Sequence, residues 1–332
     1  YSITFTMHDI AYYGMIPALS SDGDTRNLIT ARTTLCAGIG STLAGMLIPL
    51  FTAGDLALGG SAKIAYSRIA LVICILSPLF LMVTLLGVRE NRDDMEKAAP
   101  PVSFKKIIST IAGNDQLVWV SIVFLISQIG NGIVLGGAGS NYIYFEFGYE
   151  GGLYSTFSTI GLMATAVLMV FYPMIAGKMG RKPLVKLMTV VAVIGYGIML
   201  LAGIFMPASM LKFWIMTIGF MGANLGQYGF YLVLMISIIN TVEYNEYKHG
   251  SRDEAIISSM RPYLTKLSSA VIVMITTVIY LICNITSYTN RIATIEQAAE
   301  LGELPSAVRS DMIAEVIAEV GRGQTIGLLL AM

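Results

Sequence analysis

The sequence predicts an all-α membrane protein, and three observations carry that prediction. Of the 332 residues, 55% are hydrophobic and only 13% are charged, where a soluble domain carries about 25% charged residues. The apolar residues gather in uncharged runs long enough to cross a hydrocarbon layer, which takes about 20 helical residues. The basic residues between those runs collect in alternate connections. A chain of this length and apolarity cannot hide its hydrophobic surface in one soluble core, so the bilayer is its natural solvent.

Taken in order, the runs are 33–54, 69–88, 116–145, 151–177, 187–211, 213–242 and 267–290. The opening segment, 1–20, has the same character except for His8 and Asp9, and 325–332 begins one more. That makes eight complete or nearly complete spans and a ninth begun. Backbone polar groups in lipid must pair within their own segment, so each span is expected to be a helix. Tyr1 falls in a span already under way and Met332 falls inside a run, so both ends are expected to be cuts in a longer protein.

The connections separate into two sets by charge. One holds Arg26 and Arg32, then Arg89, Arg92, Lys97, Lys105 and Lys106, then Lys178, Arg181, Lys182 and Lys186, then Lys248, Arg252 and Arg261. The other holds Lys63, Lys212 and a longer acidic stretch over 295–322. Basic connections mark the cytoplasmic side, so the first segment runs from outside to inside. Lys and Arg total 21 against 21 Asp and Glu, and this balance argues against a nucleic-acid partner, which favours clustered basic residues. Cys36, Cys74 and Cys283 fall inside apolar runs without metal-ligand spacing and read as small apolar residues.

The longest cytoplasmic connection, 89–116, contains Pro100 and Pro101 and then an amphipathic stretch, 103–112, with Lys105 and Lys106 beside Ile107, Ile108 and Ile111. It reads as a hinge between two helix bundles with a helix on the membrane surface, or as a plain solvated linker.

An ionisable group inside a span is expensive and is a functional hypothesis by default. Asp9 is the foremost candidate. A carboxylate suits a hard cation or a proton, and Thr6, three residues earlier, shares its helix face; a position near the membrane interface is the alternative. Lys266, at the head of an apolar run, can pair with intramembrane carboxylates or can snorkel to the membrane edge. Arg32 offers a planar guanidinium to vicinal hydroxyls or a carboxylate, unless it is an ordinary cytoplasmic-side residue. Tyr12, Tyr13, Tyr228 and Tyr231 can stack on a sugar ring or pack as belt aromatics. Asn131, Asn224 and Gln227, in glycine-rich apolar surroundings, line an aqueous cavity or tie helices together. The glycines of 130–139 point to close packing or a bend. No zinc spacing, phosphate-binding glycine loop or nucleophile arrangement is visible, so an enzyme is not expected.

Two motifs resemble those of the glycoside–pentoside–hexuronide:cation symporters of the major facilitator superfamily. Asp22-Gly-Asp-Thr-Arg26, following Pro17 and preceding Arg32, is similar to that family's cytoplasmic loop after span four. Asn240-Thr-Val-Glu-Tyr-Asn-Glu-Tyr-Lys248, with Gly250, Arg252, Ser258 and Leu264-Thr-Lys266, is similar to its signature between spans ten and eleven. The resemblance implies a two-bundle fold containing roughly spans 4 to 12. Residues 1–88 would be the remainder of the N-terminal bundle (spans 4–6), 89–116 the inter-bundle loop, and 117–332 the C-terminal bundle (spans 7–12, the last truncated).

The resemblance also implies roles. Asp9 matches the span-four carboxylate that serves both cation and sugar, and Thr6 a hydroxyl ligand of the cation. Lys266 matches the span-eleven lysine near the cation site, and Arg32 the span-five arginine at the sugar site. Tyr13 and Tyr231 fall where a member of the family has tryptophans near the sugar. Asn240 departs from the family's usual Asp, which alters a cytoplasmic charge contact. The acidic residues of the family's first two spans are absent from these 332 residues.

The expected function is therefore cation-coupled symport of a sugar or glycoside across the inner membrane by a monomeric, multi-pass protein. Na⁺ or H⁺ (or Li⁺) is the coupling ion and no further cofactor is expected. The rival readings are a transporter of the same fold with a lysolipid or drug as cargo, and a non-transporting membrane sensor or scaffold.

Overall fold

The computed structural model describes residues 4, 7, 8, 12, 19, 23–53, 56–88, 103–251 and 253–332. Among the described residues there are twelve helices of five or more residues and no strand. They are α1 (Gly23–Thr52), α2 (Ala62–Gly87), α3 (Phe104–Gly113), α4 (Asp115–Leu135), α5 (Gly137–Phe147), α6 (Gly151–Lys178), α7 (Arg181–Phe205), α8 (Met210–His249), α9 (Glu254–Ile282), α10 (Ile285–Glu300), α11 (Ser306–Ala318) and α12 (Arg322–Ala331). Six segments are long and apolar enough to cross a membrane, and they fall on the runs read from 69 onward: Ala62–Gly87, Asp115–Phe147, Gly151–Leu168, Arg181–Phe205, Met210–His249 and Ile256–Ile282. A shorter apolar helical stretch, Cys36–Thr52, covers most of the run at 33–54.

The chain forms two compact units: 1–44 with 66–102, and 45–65 with 103–332. In the first, α2 from residue 71 on is uncharged and hydrophobic all round, while its first turn, 62–65, belongs to the second unit. Leu71, Leu79, Phe80, Val83 and Leu86 are all exposed, a pattern that suits a lipid-facing span and not a water-facing one.

In the second unit the helices pack through small residues. A Cβ on Gly195 of α7 would lie 2.2 Å from the backbone nitrogen of Ala223 in α8, so only hydrogen fits there. Between α4 and α9 the space at Gly132 is filled instead by the Ile272 side chain. In lipid there is little hydrophobic force between helices, and close packing at small residues is what holds them. Across α6 and α8, Phe157 stacks on Phe220 with ring centroids 4.5 Å apart.

The end of α1 belongs to this unit and lies on α6. Pro49 lacks an N–H, which leaves the Gly45 carbonyl without its helical donor. The Ser158 hydroxyl lies 3.5 Å from that oxygen, and the Ser155 hydroxyl donates to the next carbonyl, Met46, at 2.7 Å.

Two features sharpen the reading of the sequence. The glycine-rich run breaks at Gly136, whose extended backbone (φ −90°, ψ −153°) separates α4 from α5; this is the bend expected there. The acidic stretch over 295–322 is largely helical. The end of α10 and α11 form a hairpin, closed by Arg291 donating to Glu319 at 2.9 Å. It packs onto the main core through Ile292, Ile295, Ile313 and Val316.

Helix α8 has 40 residues, about 60 Å at 1.5 Å per residue, or roughly twice the hydrocarbon thickness. The Asn240–Lys248 motif is part of this helix, which continues until Gly250 ends it in the left-handed region (φ 69°). There it clasps the end of α3. Asn114 donates to the Thr241 carbonyl at 2.9 Å, and Lys248 donates to the Gly113 carbonyl at 3.0 Å and to Asp115 at 2.5 Å. The amphipathic helix expected at 103–112 is α3, and it packs against this helical end.

Candidate functional site

Of the residues singled out for cation and sugar, Asp9, Thr6 and Tyr13 lie outside the described residues. Arg32 lies in α1 and is exposed. Tyr231 and Lys266 lie in the second unit, on α8 and α9.

A polar and aromatic strip runs along α8. Asn224, Gln227 and Tyr231 are spaced by three and four residues and share one side of the helix, with Tyr228 beside them. Two of these groups tie helices together. Asn224 donates to the Gly161 carbonyl of α6 at 3.0 Å. Gln227 donates to the Ser127 carbonyl of α4 at 3.0 Å and accepts from the Tyr196 hydroxyl of α7 at 2.6 Å. Of the two readings open for these amides, the structure supports helix tethering. Asn131 differs: its buried carbonyl oxygen has no hydrogen-bond partner among the described residues.

Tyr231 is half-buried. Its ring lies 5.7 Å from that of Phe124 and 5.5 Å from that of Tyr228, and its hydroxyl lies 3.5 Å from Arg261 Nη2. Lys266 is exposed. It stands five residues beyond Arg261, about 140° further round the helix at 3.6 residues per turn. The face of α9 with Ile257, Met260 and Leu264 is buried against Leu117 and Phe124 of α4 and Leu234 and Ile238 of α8. Lys266 stands away from that face, while Arg261 stands at its edge.

Two charged elements escaped the sequence reading. Arg261, which by charge alone belongs with the basic connections, is part of α9 and lies 3.5 Å from the Tyr231 hydroxyl. Its position next to the apolar stripe of Met260 and Leu264 is the signal that could have found it. Lys212 was grouped with the outer connections, yet it is 2% exposed and paired with Glu146 of α5. Lys212 also donates to the Gly203 carbonyl at 3.0 Å. No local pattern announces that pair, because its partners are 66 residues apart.

Among the described residues no group of three or more His, Cys, Asp or Glu side chains is placed to hold a metal ion. What the second unit offers is a membrane-buried set of hydroxyl, amide and aromatic groups on α8, with cationic Arg261 and Lys266 on two sides of α9.

The described helices make this an all-α membrane protein, and comparison of the sequence gives the family. The family model described as "MFS/sugar transport protein" matches residues 1–302, and the chain belongs to that family. It is a multi-pass protein of the cell membrane. Over 279 residues it is 27% identical to the lactose permease of Leuconostoc lactis, covering 81% of this chain and 41% of that one. It is likewise 27% identical over 281 residues to the raffinose carrier protein of Pediococcus pentosaceus, with the same coverage. Over 269 residues it is 23% identical to an uncharacterized symporter of Bacillus subtilis, covering 81% of this chain and 56% of that one. The chain thus spans about two fifths of the length of the first two relatives.

Proposed function

We propose that this chain belongs to a secondary active transporter that carries a sugar or glycoside together with a cation. The observation that carries the reading is the pair of phenols on α8, Tyr228 and Tyr231, with ring centroids 5.5 Å apart within an apolar span, held in place by the Asn224 and Gln227 tethers. The relatives named lactose permease and raffinose carrier support it. A lysolipid or drug cargo would call for an apolar cavity, and no observation favours it.

In this reading the cation sits at Asp9 and Thr6. Its charge lowers the cost of holding carboxylate in a low-dielectric interior and pre-forms the sugar site. Arg32, Tyr13, Tyr231 and Lys266, with Asp9, face the sugar. Lys266 holds the carboxylates when the cation has left. Binding of the two ligands is then reciprocal: whatever the cation adds to sugar affinity, the sugar adds to cation affinity. The bundles rock about this site to expose it to either side.

The test is Asp9→Cys in the full-length protein, with binding of labelled lactose or raffinose measured with and without Na⁺, Li⁺ and a pH step. Loss of all cation stimulation is expected. Survival of stimulation by any of these ions would remove Asp9 from the site.

A further inference from the structure

On the outer side of the second unit a pocket of about 490 Å³ opens between α5, α10 and the first turn of α2. Its walls include Lys63, Asn141, Tyr144, Tyr149, Glu296 and Gln297. We propose that this pocket is a saccharide-binding subsite on the outer face, separate from the residues assigned to coupled transport. The proposal takes only the class of cargo from the preceding reading.

Four observations lead to it. The volume lies within the roughly 300–1,000 Å³ of small-molecule sites. The wall is partly aromatic: Tyr144 and Tyr149 line it with ring centroids 5.1 Å apart at 56°, and aromatic rings suit the C–H side of a pyranose. The polar groups are amides, a carboxylate and an ammonium, which serve hydroxyls as both donors and acceptors. The two charged groups, Lys63 and Glu296, are of opposite sign, so the wall selects for neither an anion nor a cation.

The pocket is also built rigidly. Asn141 donates to the Tyr280 hydroxyl of α9 at 2.5 Å. That contact depends on the bend at Gly136, which starts α5 against α9. The Ala62 N–H donates to Glu296 at 3.1 Å, so the first turn of α2, which belongs to this unit, is tied to α10. Arg309 of α11 donates to the Gly60 carbonyl, and its guanidinium lies 3.9 Å from Glu296. The hairpin of α10 and α11 thus holds the connection after α1 against the pocket. The charge pattern of the connections puts this end outside, where a sugar arrives from the medium.

The test uses full-length protein in right-side-out vesicles. Ala293, exposed in the pocket wall, is changed to Cys, and its labelling by a membrane-impermeant maleimide is timed against the unsubstituted chain. At a lactose or raffinose concentration of twice the Kd, the rate should fall about threefold, since the free fraction is 1/(1 + [L]/Kd). Mannitol at equal concentration should not slow it. Protection should persist when Asp9→Asn disables the proposed transport site, and should vanish with Tyr144→Ala and with the milder Gln297→Ala. Absence of protection by both sugars, or its loss with Asp9→Asn, overturns the proposal. Protection without sugar flux would sink the symport reading and leave the pocket standing; flux without protection would do the reverse.

Discussion

Lys106 Nζ lies 2.7 Å from Asp253 Oδ1, joining α3 to the turn that opens α9. The carboxylate collects two further donors, the hydroxyls of Ser251 at 2.9 Å and Thr110 at 3.1 Å. A short amphipathic helix that the sequence placed on the membrane surface is in this way fastened to the helical core.

The Lys106 hydrogen bond, then those of Ser251 and Thr110, hold the Asp253 carboxyl below its usual range. A depressed carboxylate pKa contributes stability that is present above the unfolded value and lost as pH falls through the folded one. The anchor should therefore be indifferent to pH from about 8 to 5 and loosen only below about 4, the ordinary Asp value. Amide hydrogen exchange of 104–113 reports this. Asp253→Asn should raise exchange at neutral pH and flatten its acid dependence; unchanged exchange in that variant would contradict the anchor.

The Glu146–Lys212 pair should behave differently. Both partners are largely buried, with side-chain exposures of 13% and 2%. Removing one partner from a buried pair leaves an uncompensated charge and costs about 3–5 kcal/mol, whereas replacing both by apolar groups is often near neutral. Lys212→Met should lower the thermal midpoint of the detergent-solubilised protein sharply, and Glu146→Leu combined with Lys212→Met should recover most of it. Equal losses in the single and double variants would mean that the pair is incidental.

The helix seams give a third expectation. At Gly195 a methyl group would collide with backbone atoms of α8 at 2.2 and 2.6 Å, which cannot swing aside, while at Gly197, two residues on, it meets nothing within 4 Å. Gly195→Ala should separate α7 from α8 at a cost of about 1–3 kcal/mol or more, typical of overpacking, and Gly197→Ala should be neutral. Thermal unfolding of the two variants side by side decides it.

These contrasts show what was readable in the chain. Spans follow from hydropathy, which is local, and α2, α4 and α6 to α9 appear where the runs put them. The bend at Gly136 was legible because glycine density is itself local. The Glu146–Lys212 pair, the Asn141–Tyr280 contact and the Arg309 clamp join residues far apart in sequence, and no pattern at one end forecasts the other. The α8 amides were legible as unusual but not as tethers, because only the facing carbonyls of Gly161 and Ser127 reveal that role. The motif at 240–248 was recognisable by its residues, but its continuation as helix shows only in the packing against Gly113 and Asn114.

Tyr231 allows the sugar-binding and packing readings of one residue to be separated. Its ring lies against Phe124 in an apolar cluster, while its hydroxyl is directed to Arg261, so ring and hydroxyl have different jobs. If the ring also stacks on the sugar, Tyr231→Ala should weaken sugar binding by about 2- to 10-fold, the equivalent of roughly 0.5–1.5 kcal/mol for an aromatic contact. Tyr231→Phe keeps the ring, so it should cost less than about twofold. Arg261→Lys would then loosen the link between α8 and α9 without touching the sugar. Equilibrium binding of lactose, measured alongside thermal stability, distinguishes the cases. Should Tyr231→Ala lower the unfolding temperature and leave sugar affinity intact, the residue is packing alone, and the sugar must find its aromatic face elsewhere.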